Sequence, residues 1–209
     1  MITILCGKSA SGKDTTLNKM LELSNTNNPS FLKVEPLIST TSRPMRDGET
    51  NGKEYHFVSR EEFEKRLADG KFIEHRTYNT LVNNVPDTWY YGMEKQEIDK
   101  DKNYIVILDL EGAEAFQRAY GKDNTFTIFI DVCDAVRTQR AMMRGSFDET
   151  EWNRRLADDD IKFSEENVNK ICDEKIFAFD SAMALVMKVE DAIKERMQER
   201  ADIEIDERS

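Results

Sequence analysis

The chain has 209 residues, of which 34% are charged and 39% hydrophobic, and its 41 acidic and 30 basic side chains leave a net charge of -11. That is the composition of a globular, soluble domain with enough chain for a sound core, and not of a disordered segment. So acidic a surface argues against nucleic acid as the general partner, but a small anion held by a local cluster of cations remains open.

Ile2-Thr3-Ile4-Leu5-Cys6 reads as a short apolar strand. Its start at residue 2 leaves no room for a signal peptide, and no apolar run reaches membrane-spanning length. The expectation is a cytoplasmic protein with no membrane partner. Cys6, Cys133 and Cys172 are widely spaced and odd in number, which suits reduced core thiols better than a disulfide frame or a zinc site. The strand runs into Gly7-Lys8-Ser9-Ala10-Ser11-Gly12-Lys13-Asp14-Thr15, and a helical pattern follows from Thr15 to Leu23. Strand, glycine-rich turn and helix start are the context in which G-x-x-x-x-G-K has a mechanism. The turn aims backbone N–H groups inward, the helix start adds partial positive charge, and Lys13 reaches the outer phosphates of a triphosphate. A hydroxyl residue usually follows that lysine and ligates Mg²⁺. Here Asp14 takes the place and the hydroxyl comes at Thr15, so both are candidate metal ligands.

Ser24 to Ser30 reads as a loop and Phe31 to Ile38 as a strand. The polar stretch from Ser39 to Glu49 carries Arg43 and Arg46, whose guanidinium groups can grip phosphate through paired hydrogen bonds. Glu54 to Val58 alternates like a strand, and Ser59 with Glu62 forms a capping box. The short helix that follows has Phe63 and Leu67 as its stripe and Gly70 at its end. Phe72 to His75 resumes strand character, and Thr77 to Thr88 reads as a long loop or tight hairpin before Trp89-Tyr90-Tyr91-Gly92. Residues 39–100 thus form a small mixed lobe inserted into an α/β core of about 1–38, 101–133 and 170–200.

Tyr104 to Asp109 is an apolar run ending in a carboxylate, as suits a parallel strand covered on both faces. Asp109 is either a contact for Mg²⁺ or ribose at the strand's C-terminal end, or the cap of the helix beginning near Gly112. Thr125 to Val132 and Lys175 to Phe179 are further strands, and their alternation with helices predicts a parallel sheet. Between them Arg137, Arg140 and Arg144 recur at helical spacing, and Arg154 and Arg155 follow beyond a second capping box at Asp148 and Glu151. These arginines either pair with Glu149, Glu151 and Asp158 to Asp160 as a surface network, or sit on a flap over about 134–165 that closes on a transferring phosphoryl group. Ser181 to about Arg200 is an amphipathic helix and Ala201 to Ser209 an acidic, frayed tail. His56 and His75 lack metal-ligand spacing.

In this order the parts resemble the guanylate kinase family over nearly the whole chain. The most specific stretch is Ser39 to Glu49 with Asn51 to Ser59, similar to the family's S-x-T-T-R-x-x-R-x-G-E…G-x-D-Y-x-F-V-S signature. Phe72-Ile73-Glu74, Tyr90-Tyr91-Gly92, Asp109 to Ala113 and Arg144-Gly145 extend it in the right order. The resemblance implies a P-loop parallel core flanked by helices, with an inserted mixed α/β monophosphate-binding lobe and a helical lid. It implies that Arg43, Arg46, Tyr55 and Tyr91 hold the acceptor phosphate, that Ser39 and Glu74 read guanine, and that Asp109 lies near ribose and metal. Gly7, Ser9, Ala10, Ser11, Gly12, Lys13, Asp14 and Thr15 would cradle ATP, with Arg140, Arg144 and Arg155 closing over it. The implied reaction is in-line transfer of the γ-phosphoryl group of ATP to GMP or dGMP, with Mg²⁺ as cofactor, by a monomer or homodimer. Met93 stands where the family has a Ser or Thr that helps read guanine O6, and the 77–88 segment is longer than usual. Both leave room for another monophosphate, or another small phosphate ester, as the acceptor. A non-catalytic guanylate-kinase-like binding module is the other alternative, and the intact Gly7, Gly12 and Lys13 speak against it.

Overall fold

The structure, a computed structural model, describes residues 1–82, 85–143, 147–179 and 181–206. In chain order its elements are β1 (Ile2–Cys6), α1 (Lys13–Ser24), β2 (Glu35–Pro36), β3 (Thr40–Thr41), β4 (His56–Phe57), α2 (Arg60–Ala68), β5 (Phe72–Val82) and β6 (Val85–Glu94). Then come β7 (Tyr104–Ile107), α3 (Leu110–Tyr120), a 3₁₀ turn at Lys122–Asn124, β8 (Thr125–Asp131), α4 (Asp134–Met142), α5 (Glu149–Lys162), α6 (Glu165–Ile171), β9 (Glu174–Phe177) and α7 (Ala182–Asp206).

Five of the strands form a parallel sheet in the order β2-β7-β1-β8-β9. β1 is central and buried throughout, which explains its unbroken apolar character. Successive side chains of β1 enter opposite layers. Leu5 packs with Ile128, Ile130, Val186, Val189 and Ile193 on the side of α1 and α7. Ile4 and Cys6 pack with Val106, Phe116, Phe129 and Val168 on the side of α3 and α6. A second sheet, ordered β4-β3-β6-β5, lies between β2 and β7 in sequence. One of its faces is covered by α2, where Phe63 stacks on Phe72 at 4.3 Å between ring centroids.

Several expectations need correction. Of the strand expected over Phe31 to Ile38, only Glu35–Pro36 pairs, Glu35 N–H donating to Asn103 O at 2.8 Å. Pro36 has no N–H to offer and lies in an edge strand, where proline is tolerated. Of the two forms left open for Thr77 to Thr88 the structure takes the hairpin, with Tyr78 opposite Trp89 and Val82 opposite Val85; residues 83 and 84 lie outside the described residues. The tail expected to fray continues α7 to Asp206, supported by Gln198 Nε2 donating to Asp202 one turn on, at 2.8 Å. α6 was not foreseen, although Ser164 caps it by accepting from Asn167 N–H at 3.3 Å. All three cysteines are free, but only Cys6 is buried, Cys172 being half-buried and Cys133 exposed at the start of α4.

Candidate active site

The loop between β1 and α1 is held tightly. A side chain at Gly7 would bring its Cβ within 2.8 Å of both Ile130 O and Ser11 Oγ, so the turn must be glycine. Ala10 adopts a left-handed φ of 58°, a conformation that costs a residue other than glycine about 1–2 kcal/mol. Such strain collects where function fixes the backbone. The start of α1 carries no side-chain cap, whereas Ser59, Asp109, Asp148 and Ser164 cap α2, α3, α5 and α6. α4 lacks a side-chain cap too, but at α1 the uncapped first-turn N–H groups adjoin the glycine loop and Lys13, a combination suited to an anion. Lys13 Nζ donates to Gly7 O at 2.6 Å and Lys8 O at 3.0 Å, and burial pushes its pKa down against the opposing pull of Asp14 and Asp159.

Sequence reasoning passed over the residue that braces this loop. Arg137 is fully buried; its Nε donates to Ser9 O at 2.8 Å, its Nη1 to Asp134 at 2.5 Å and its Nη2 to Asp159. Asp159 also accepts from Ser9 N–H at 2.8 Å, and Asp160 pairs with Lys8 at 2.6 Å. α4 and α5 therefore clamp the phosphate loop through opposed charges. The signal is present as an arginine cluster followed by Asp158 to Asp160, but composition alone favours a surface network there. Arg154 and Arg155 do form such a network, holding the Glu151 carboxyl down to about 2. Arg140 Nη1 donates to Ser11 O at 2.9 Å and lines a cavity of about 400 Å³ with Ala10, Gly12, Thr15 and Leu185. Arg155 lines another of about 200 Å³ with Ser9 and Ala10. Arg144 lies outside the described residues.

The second wall is the face of the smaller sheet turned away from α2. Tyr91 lies opposite both Thr41 and Arg76, and Met93 opposite Glu74, so these side chains share that face. Arg43, only 4% exposed, pairs with Glu49 at 2.6 Å and lies over the rings of Tyr55 and Phe57 at 5.6 and 5.4 Å. Tyr55 and Tyr91 meet edge to face at 5.9 Å. Arg46 is exposed, its backbone N–H donating to Glu49 at 2.7 Å. Ser39 is half-buried at the start of β3. Burial pushes the Glu74 carboxyl up, while Arg76 draws it back. Asp109 caps α3 by accepting from Gly112 N–H at 2.9 Å, and both its oxygens accept from Arg76, at 2.6 and 3.2 Å. Burial raises the Tyr55 phenol most, and the negative charge of Asp14, at the start of α1, adds to the rise. Asp109 follows β7, which pairs with β1 just ahead of the phosphate loop, so its bond to Arg76 brings this face to the edge of the core sheet where that loop begins.

A glycine-bent loop between a buried parallel strand and an uncapped helix start, with a lysine bonded across it, defines a P-loop α/β protein. A family model described as guanylate kinase matches residues 1–196. The guanylate kinase of Thiobacillus denitrificans is 34% identical over 165 residues, covering 75% of this chain and 69% of that relative. That of Porphyromonas gingivalis is 33% identical over 133 residues, covering 62% of this chain and 63% of the relative. The crystal structure of guanylate kinase from Anaplasma phagocytophilum has the same fold, with a TM-score of 0.59 at 22% identity over 93% of this chain and 85% of that one. The chain belongs to the guanylate kinase family.

Proposed function

We propose that the protein is an ATP-dependent nucleoside monophosphate kinase that transfers the γ-phosphoryl group of ATP to GMP, or to dGMP, giving ADP and the corresponding diphosphate. The observation that carries this is the half-buried Glu74, on one sheet face with Tyr91, which meets Tyr55 under Arg43, and joined through Arg76 to Asp109 at the edge of the core sheet. A carboxylate in that position accepts from the N1–H and exocyclic amine of guanine, while Arg43, Arg46 and the two phenols take the 5′-phosphate. The acceptor oxygen is already anionic, so no general base is needed. Lys13 and the first-turn N–H groups of α1 orient the triphosphate, and Arg140 and Arg155, with Arg144, neutralise charge on it.

Asp14 and Thr15 are exposed side by side next to Lys13, and no group of three or more His, Cys, Asp or Glu that could hold a metal occurs among the described residues. That donor set fits Mg²⁺, which keeps several waters and takes one or two protein oxygens together with substrate phosphates. Asp14 and Thr15 would hold it, and it would supply charge neutralisation between the phosphates. Asp109 is left out of the set because Arg76 and Gly112 engage both its oxygens. All these residues come from one chain, so a monomer suffices. Among the described residues no helix is long and apolar enough to cross a membrane, and a cytoplasmic site of action accords with ATP as donor.

The test is a coupled assay of the purified protein with ATP and Mg²⁺ against ribo- and deoxyribonucleoside monophosphates. GMP or dGMP should exceed AMP, CMP and UMP in kcat/KM by at least about 100-fold. No turnover of either guanine nucleotide, or equal turnover of all bases, would overturn the assignment.

A further inference from the structure

Arg76 lies two residues beyond Glu74 on β5 and opposite Tyr91 on β6, so it projects from the acceptor face. Three carboxylates surround its guanidinium. Nε donates to Asp109 Oδ2 at 3.2 Å and Nη2 to Asp109 Oδ1 at 2.6 Å, with Glu111 Oε2 at 3.3 Å from Nη2. Nη1 donates to His75 O at 3.2 Å and lies 3.8 Å from Glu74 Oε2. A guanidinium has five N–H groups. These contacts occupy or direct four of them and leave one N–H of Nη1 beside the Glu74 carboxylate.

The other neighbour of Glu74 on this face is Met93. It is fully buried, its sulfur lies 3.3 Å from the Gln96 amide, and it offers the face no donor. The hydrogen-bonding edge of guanine carries donors at N1 and N2 and, next to them, acceptors at O6 and N7. A carboxylate satisfies the donors. An acceptor buried beside it without a partner would be costly, so the pocket needs a donor next to Glu74. Among the side chains of this face nearest that carboxylate, Arg76 supplies one.

Resting on the assignment of this face as a guanine pocket, we infer that Arg76 is a specificity-determining residue that donates to O6 of the base, with Asp109 and Glu111 holding the guanidinium in place. Arginine suits the role because its guanidinium can be held by Asp109 and Glu111 on one edge and still offer an N–H of Nη1 to O6, and it stays charged at all working pH values. It also rejects adenine, whose exocyclic amine would set donor against donor. The bond to Asp109 gives Arg76 a second effect, since Asp109 follows β7 of the core sheet while Arg76 belongs to the smaller sheet. A purely structural bridge between the sheets would use these same contacts and be blind to the base.

The test separates the two roles by base chemistry. Wild type, Arg76→Met and Arg76→Lys are compared with GMP, with IMP (which keeps O6 and N1–H and lacks the amine) and with 2-aminopurine ribonucleoside monophosphate (which keeps the amine and lacks both O6 and the N1–H), each nucleotide being compared between variants and wild type. Turnover is followed for GMP and IMP, and binding of the 2-aminopurine nucleotide by its own fluorescence. Arg76→Met should lower kcat/KM for GMP and IMP by about 30-fold, which is about 2 kcal/mol at 1.4 kcal/mol per tenfold, and change affinity for the 2-aminopurine nucleotide by less than about threefold. Arg76→Lys keeps a cation against Asp109 and Glu111 and should show the same base-dependent loss at smaller size. Equal losses for all three nucleotides in either variant, or no loss for GMP and IMP, overturn the inference. Absence of GMP turnover in the wild type would instead overturn the functional assignment on which it rests.

Discussion

Replacing Arg137 with methionine tests how the phosphate loop is held. The arginine is fully buried, and the Asp159 side chain facing it is 10% exposed. Without the guanidinium, Asp159 keeps only the Ser9 N–H at 2.8 Å, and Ser9 O loses its 2.8 Å donor. Removing one partner of a buried ion pair costs about 3–5 kcal/mol, because the other charge stays buried and unpaired. At about 2–4 °C per kcal/mol for a chain of this size, Arg137→Met should lower Tm by about 6–20 °C. Adding Asp159→Asn removes the orphaned charge, so the two losses should be non-additive, with a coupling of about 2–3 kcal/mol. Thermal unfolding of wild type, both single variants and the double variant gives the whole cycle. A loss below about 1 kcal/mol for Arg137→Met, or simple additivity, would refute the brace.

Lys13→Ala should abolish turnover with little change in Tm, since the lysine bonds only within its own loop, to Gly7 O, Lys8 O and Ser11 Oγ; normal activity in that variant would remove Lys13 from the cradle. Burial raises the Glu74 carboxyl above its ordinary 4.5, so the ionised acceptor is lost at a higher pH than for a free glutamate. KM for GMP should therefore rise on acidification toward that raised value while KM for ATP holds, and Glu74→Gln should flatten the limb; a limb unchanged by Glu74→Gln would assign it to another group. The same shift makes the ionised carboxylate oppose folding at neutral pH, a cost that vanishes as pH falls below 4.5. Denaturant titration should thus find Glu74→Gln stabilising without ligand at pH 7 and neutral at pH 4. Met93→Ser empties a fully buried site and should cost about 2–4 kcal/mol in urea titration; a change under about 0.5 kcal/mol would mean that the site collapses freely.

What the sequence made legible was set by how local each cause is. β1, β7 and β8 show as apolar runs because they are covered on both faces, and Ser59 and Asp148 announce helix starts by bonding three residues on. The glycine loop is legible for the same reason, its chemistry lying in nine consecutive residues. The hairpin beyond Thr77 was left open between two forms because cross-strand pairs such as Tyr78 with Trp89, and the anchor of Asp87 to Arg60, hold it rather than any periodic apolar face. Asp109 could be read as a cap or as a ligand contact, and its cap to Gly112 is plain in the structure; its bond to Arg76, 33 positions away, had no local signal. Arg137 and Asp159 stand 22 apart, and with several arginines and acids near each, composition could not say which meets which.

On the proposed function, a donor and an acceptor nucleotide meet end to end between the α1 start and the Arg43 face. Isothermal titration with adenosine and guanosine joined 5′ to 5′ by five phosphates checks this arrangement. One molecule should bind per chain and compete with both ATP and GMP. Competition with only one of them, or two independent molecules bound per chain, would contradict the shared crevice.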